Sequence, residues 1–202
     1  MKHFDPIWDT RFADTDYAYG KEPNDFLRQQ VNSLKKGKLL TLAEGEGRNA
    51  VFLAKLGFEV TAVDASIKGL NKAQLLASQN NVSIATVHAD LTDFDPGEHQ
   101  WDCVVSIFAP LGSAFRKVLH ADIVRSLKPG GTFLIEAYTP EQVRFGTGGG
   151  NDPDTMLTSA QVEKELEGLN FDVLQQVERE VVEGKYHTGR ASVVQALGEK
   201  PG

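Results

Sequence analysis

The stretch Leu39 to Ala50 reads Leu-Leu-Thr-Leu-Ala-Glu-Gly-Glu-Gly-Arg-Asn-Ala. An apolar strand runs into Gly45 and Gly47, and Val51, Phe52, Leu53 and Leu56 follow at helical spacing. Glycine is wanted where a strand turns sharply into a helix and a ligand lies against bare backbone. Nineteen residues past Gly45 the apolar run Val60 to Val63 ends in Asp64. An acid at that strand tip holds an adenosine ribose through its two hydroxyls. Asp90 ends a third apolar run, placed to accept an adenine amino group. Glu44 and Glu46 flank Gly45, so a pyrophosphate at this turn meets repulsion of about 1 kcal/mol or more per close pair. The turn therefore suits an adenosine-bearing ligand whose other end is cationic.

A second set of reactive residues lies far along the chain. His187 stands in Gly184-Lys185-Tyr186-His187, in the turn between the last two strands. A neutral imidazole there can orient or deprotonate a bound acceptor near pH 7. Arg190, three residues on, is the candidate for binding an anionic acceptor. In the aromatic lead-in, Arg11, Tyr17 and Tyr19 can fold over the ligand, where a ring against a cation is worth about 1–2 kcal/mol when desolvated. Trp8 is expected to anchor the lead-in on the sheet, and Tyr19, beside Gly20, to enter the pocket. His88 and His120 are read as structural, Cys103 as a small core residue, and no metal set is expected.

Alternating strands and helices must position these groups. Strands are expected over 39–43, 60–63, 84–89, 103–108 and 132–135, with helices over 48–56, from Ser66 onward and over 113–127. Lys128-Pro129-Gly130-Gly131 reads as a helix stop and turn. The Gly- and Pro-rich stretch 139–155 reads as a lid or disordered loop. A helix capped by Thr158 or Ser159 and two strands, 171–182 and 191–197, close the chain as an antiparallel hairpin. The fold class is α/β: a doubly wound, mostly parallel seven-stranded sheet with helices on both faces and a C-terminal antiparallel hairpin. One domain, 1–202, is expected, with a helical lead-in over 1–36, a ligand-binding core over 38–138, a loop over 139–157, and a helix plus hairpin over 158–202.

The chain carries 21 Lys and Arg against 28 Asp and Glu, a net charge of −7. That balance opposes a nucleic-acid surface, which needs clustered bases. One cysteine excludes an internal disulfide and suits a reducing cytoplasm. Met1 to Pro6 lacks an apolar leader core, and no run is long enough to cross a bilayer. A cytoplasmic protein with a small-molecule substrate, no nucleic acid, no membrane and an open oligomeric state is the expectation.

These motifs together resemble the class I S-adenosylmethionine-dependent methyltransferases, in the tellurite-resistance and thiopurine methyltransferase-like small-molecule group. The resemblance rests on Gly45-x-Gly47-Arg48-Asn49, Val63-Asp64, Ala89-Asp90-Leu91, Trp101-Asp102 through Ser106-Ile107, and Lys128 to Gly131. It implies S-adenosyl-L-methionine held by Glu44, Gly45, Gly47, Asn49, Asp64, Ala65, Ser66, Asp90, Leu91, Ser106, Ile107, Tyr19 and Arg11. It implies a His187 that faces a small acceptor: a thiol, a metalloid oxyanion such as tellurite, or another metabolite. Two positions depart from the family pattern. Its strand-one acid is Thr41 here and its first glycine is Ala43, which makes Glu44 the nearest substitute for the acid. The rival readings are an NAD-dependent oxidoreductase and a non-catalytic cofactor-binding protein on the same fold.

Overall fold

The computed structural model describes residues 6–202. The reading of Met1 to Asp5 as free of a leader lies outside them. A seven-stranded sheet forms from β1 (Lys38–Leu42), β2 (Glu59–Asp64), β3 (Ala85–His88), β4 (Trp101–Ile107), β5 (Leu127–Tyr138), β6 (Asn170–Glu183) and β7 (His187–Glu199). Their order is β3-β2-β1-β4-β5-β7-β6. The first five are parallel, and β7 runs antiparallel to both β5 and β6. Among the described residues six α-helices accompany them: α1 (Pro6–Arg11), α2 (Asp25–Gln30), α3 (Arg48–Lys55), α4 (Ile67–Gln79), α5 (Ser113–Ser126) and α6 (Ser159–Glu165).

The sheet separates two apolar layers. Leu39, Val60 and Cys103 point to the face covered by α3 and α4, while Leu40, Val104 and Phe133 point to the other. Strand residues alternate faces, so a strand buried on both sides is apolar throughout, as Cys103 to Val105 is. The caps are local. Asn24 accepts from Leu27 N, Ser66 from Gly69 N, and Thr158 forms a capping box with Gln161. Among the described residues no helix is long and apolar enough to cross a membrane.

The expected turn at Lys128–Gly131 is instead part of β5. Between Trp101 and Cys103 of β4 the partners jump from Leu127 to Thr132, so Lys128–Gly131 forms an extra excursion of the strand. Gly130 N donates to Lys200 O, and Lys200 N to Gly131 O, a pairing with the chain's far end. The hairpin strands are longer than expected and leave only residues 184–186 between them. The stretch after β5 contains two 3-10 turns, Pro140–Arg144 and Pro153–Thr155. Gln142, fully buried, accepts from Ser192 N and so stitches the first of them to β7.

Candidate active site

The strand order reverses between β1 and β4, the place where open α/β sheets bind ligands beyond their C-terminal strand ends. A cavity of about 440 Å³ lies there. Its walls include Glu44, Gly45, Asn49, Asp64, Ala65, Asp90, Leu91 and Ile107, with Arg11 and Tyr19 from the lead-in and His187 from the hairpin. Of the residues expected to hold a cofactor, Gly47, Ser66 and Ser106 do not line it. Gly47 sits at φ 89°, and a Cβ there would stand 2.6 Å from Ala73 Cβ, so it lets α3 pack on α4. Ser66 caps α4 and donates to Asp9 Oδ1 of α1. Ser106 is buried in β4.

Glu44 caps the start of α3. Its Oε1 accepts from Asn49 N at 3.1 Å and Ala50 N at 2.8 Å, satisfying amides that the start of α3 leaves unpaired. Burial pushes its carboxyl up to about 7, against the Ala50 amide, which favours the charged form. The Thr41 hydroxyl lies near it, buried and short of hydrogen-bond geometry. Asp64 uses Oδ2 for Gly45 N and Oδ1 for Ser66 N, both at 2.7 Å, which locks the strand tip to the turn. Burial raises its pKa too. Asp90 Oδ1 accepts from Thr92 N and Oγ1 at 2.9 and 2.8 Å.

The expectation of a free acid in the turn does not extend to Glu46. Glu46 borders the cavity, but its carboxylate forms an ion pair with Lys72 and accepts from Ala18 N at 2.7 Å. That acid is neutralised and ties the lead-in to the turn. Ala43 adopts φ 49°, a left-handed conformation in which glycine costs nothing and alanine about 1–2 kcal/mol.

His187 sits among rings. Its centroid lies 4.5 Å from Tyr19, 5.0 Å from Phe108 and 5.4 Å from Tyr138. Burial pushes its pKa down to about 3, with Arg48 and Arg11 adding to the effect, so the ring is neutral at pH 7. Tyr19 accepts from Arg11 Nη1 at 2.8 Å, and the Arg11 guanidinium lies 4.3 Å from the Tyr186 ring centre. Trp8 stacks on Phe12 and also borders the cavity, so it does more than anchor the lead-in. Arg190 does not join this group. It is exposed and paired with Glu178 at 2.6 Å. The Cys103 thiol, pushed up to about 12 by burial, is no nucleophile.

Phe108, Tyr138 and Met156 are among the cavity residues not anticipated from sequence. Phe108 directly follows β4 and Tyr138 ends β5, and the strand-tip rule that found Asp64 applies equally to them. Phe108 holds φ 52°, an outlier for a bulky residue, and stacks on Tyr138 at 4.4 Å.

Residues 39–131 match a family model described as a methyltransferase domain. The putative methyltransferase YqeM of Bacillus subtilis is 32% identical over 109 residues, covering 52% of this chain and 44% of the relative. The chain spans about half the length of the curated relatives it matches. TehB from Haemophilus influenzae superposes with TM-score 0.72 at 17% identity, over 97% of this chain and 66% of that one. The N-methyltransferase NodS of Bradyrhizobium japonicum, in complex with S-adenosyl-L-homocysteine, gives 0.69 at 15% identity over 97% of each. These likenesses carry the fold. Over residues 39–131 the chain is thus similar to methyltransferase domains, and its whole architecture superposes on that of the N-methyltransferase NodS.

Proposed function

We propose that this protein transfers a methyl group from S-adenosyl-L-methionine to a small soluble acceptor. The observation that carries this reading is the row of carboxylates along the switch-point cavity, Glu44, Asp64 and Asp90, beside cations already engaged. Arg48 pairs with Glu183 at 2.5 Å, which leaves Arg11, hydrogen-bonded to the neutral Tyr19 hydroxyl, as the one cation of the cavity wall without a carboxylate partner among the described residues. The residues fit a sulfonium donor. Asp64 would hold the ribose, Asp90 the adenine amino group, and Glu44 the amino-acid ammonium. Gly45 keeps the floor clear, because a Cβ there would meet Phe12 at 3.1 Å. When bound, the donor supplies an electrophilic methyl that a nucleophile takes in one displacement as the thioether leaves with the bond's electron pair.

The protein's part is alignment and exclusion of water, worth up to about 7–11 kcal/mol for well-oriented partners. Tyr19, Phe108, Tyr138 and His187 wall the end of the cavity opposite Asp64 and Asp90, and we assign them to the acceptor. We read the lead-in through Leu34 as a lid and the cytoplasm as the working compartment. The acidic balance of the chain supports a small acceptor over a nucleic acid.

Titration calorimetry with S-adenosylhomocysteine and with NAD tests the reading. Binding of the first and not of the second is expected; the reverse would overturn it. Transfer of labelled methyl from the donor into a metabolite extract then separates an enzyme from a cofactor-binding protein that lacks activity.

A further inference from the structure

Two polar side-chain atoms at the acceptor end are buried without a hydrogen-bond partner: Tyr138 Oη and His187 Nδ1. A buried polar group left unpaired costs about 1–3 kcal/mol, so native proteins keep few. Here two lie together. Their rings are 5.4 Å apart, and both side chains border the same cavity. Phe108 stacks flat on Tyr138, and Tyr19 closes against His187 from the other side. The result is a polar pair inside an aromatic slot.

The slot has a roof. A Cβ on Gly148 would stand 2.8 Å from Tyr138 Oη and 3.0 Å from His187 Cδ2, and one on Gly149 would stand 2.6 Å from the Tyr138 ring. Both glycines have positive φ, 145° and 80°. Only bare backbone can lie this close to Tyr138 Oη and the His187 ring. Gln142 Nε2 ties the near side of the roof to Thr147 Oγ1 and Gly148 O. At Gly146 and Gly150, by contrast, a Cβ would meet nothing within 4 Å, so the roof is flanked by glycines in open space.

Charge narrows the occupant. The two arginines bordering the cavity are engaged, Arg48 with Glu183 and Arg11 with Tyr19 and the Tyr186 face. Arg190, the remaining candidate for an anion, points to Glu178. An oxyanion between Tyr138 and His187 would find ring faces and neutral donors, while Arg11, which keeps its charge, is directed to the Tyr19 hydroxyl and the Tyr186 face. A flat, uncharged molecule with a hydrogen-bonding group on one edge would gain ring contact and satisfy both orphaned atoms.

We propose that Tyr138 and His187 together hold the acceptor, beneath a Gly148–Gly149 roof that lifts to admit it, and that the acceptor is a flat uncharged molecule, not an oxyanion. The proposal rests on the methyltransferase reading. Tyr138 donates its hydroxyl proton to the acceptor's edge, and the neutral imidazole takes the neighbouring position. Burial pushes the Tyr138 hydroxyl well above the usual phenol range, which keeps it a donor at every physiological pH.

The test uses the full chain saturated with S-adenosylhomocysteine, and phenol and sodium tellurite as probes followed by titration calorimetry. Phenol is expected to bind, and Tyr138→Phe, which keeps the ring stack, to weaken it about fivefold with cofactor affinity unchanged. Gly148→Ala, which blocks roof closure, is expected to weaken phenol as well. Tellurite is expected not to bind or to displace phenol. No phenol binding, equal phenol affinity in wild type and Tyr138→Phe, or tellurite displacing phenol would each overturn the proposal. Failure of S-adenosylhomocysteine itself to bind is a different result and removes the parent reading instead.

Discussion

Arg48 Nη2 stands 2.5 Å from Glu183 Oε2, with both side chains more than nine-tenths buried. Arg48 is the first residue of α3, directly after the glycine turn, and Glu183 is the last of β6, directly before the hairpin turn that leads to His187. The pair joins the glycine turn at the start of α3 to the hairpin turn after β6. Asn24 reinforces it, donating to Glu183 Oε1 at 2.8 Å and to Glu136 Oε2, while Arg179 bridges the same two glutamates. A second tie runs parallel. Glu46 accepts from Ala18 N, and Ala18 O accepts from Lys185 N at 2.9 Å.

Glu183→Gln leaves Arg48 charged and buried without its counter-ion. Breaking one side of such a pair typically costs about 3–5 kcal/mol, and replacing both partners by apolar residues costs far less. Urea unfolding is expected to show a loss near the lower figure, since Gln still accepts hydrogen bonds. The double variant Arg48→Met with Glu183→Met is expected to recover much of it. A single variant within 0.5 kcal/mol of wild type, on the order of an ordinary surface change, would show that the pair does not hold the two turns together.

Glu44 and His187 give the stability opposite slopes with pH. The Glu44 pKa is raised in the fold from 4.5 to about 7, so its contribution is full below pH 4.5 and is lost as pH rises through 7. The His187 pKa is lowered from 6.5 to about 3, so its contribution is full above pH 6.5 and is lost as pH falls through 3. Between pH 4.5 and 6.5 the two oppose each other, at about 1.4 kcal/mol per pH unit each. Relative to wild type, Glu44→Gln is expected to make stability climb with pH across this window, and His187→Asn to make it fall. Denaturant melts at pH 4.5, 5.5 and 6.5 check the signs. Glu44→Gln is also expected to weaken S-adenosylhomocysteine about tenfold through the lost ammonium contact, since hydrogen bonds to charged groups are the stronger ones.

Ala43 occupies a backbone conformation made for glycine. Ala43→Gly removes the left-handed strain but adds disorder to the unfolded chain, and the two effects nearly cancel. Its stability is expected within about 1 kcal/mol of wild type, with cofactor binding kept. Ala43→Val puts a β-branched side chain at φ 49° and is expected to cost about 1–3 kcal/mol. Equal melts for the valine and glycine variants would remove the strain argument.

Much of this site could be read along the chain because its signals are local. A glycine turn after an apolar strand and an acid at the next strand tip are fixed by neighbours a few residues away, and the structure puts Gly45 and Asp64 within one hydrogen bond. Partners distant in sequence were not legible. Glu46 is neutralised by Lys72, and Lys128–Gly131 joins β5 because Lys200 returns to pair with it. Arg190 offers a plainer lesson. It lies three residues from His187 on β7, and an odd spacing on a strand sends side chains to opposite faces. Alternation alone separates the two. The glycines at 146 and 148–150 showed a loop; only the contacts of Gly148 and Gly149 with Tyr138 show what the loop covers.

Glu165 anchors the rim of the cavity from behind. It takes Arg116 in a two-pronged pair, Nε to Oε2 at 3.0 Å and Nη2 to Oε1 at 3.1 Å, and His120 Nδ1 lies 2.9 Å from the same Oε2. Arg116 Nη1 in turn donates to Leu111 O and Asp154 O, the backbones beside two segments that border the cavity, Pro110–Leu111 and Thr155–Met156. Burial works against the charged carboxylate, yet His120 and Arg116 beside it hold its pKa down at about 2. Its contribution to stability is therefore present above pH 4.5 and is lost as pH falls through 2. Glu165→Gln is expected to leave Arg116 uncompensated, lower stability by about 3 kcal/mol at neutral pH, and flatten the acid limb below pH 4.5. It should also loosen both rim segments, seen as faster amide hydrogen exchange at 109–112 and 152–156 while β1 and β4 stay protected. Uniform loss of protection across the sheet would mean that the triad supports the whole fold instead of the rim.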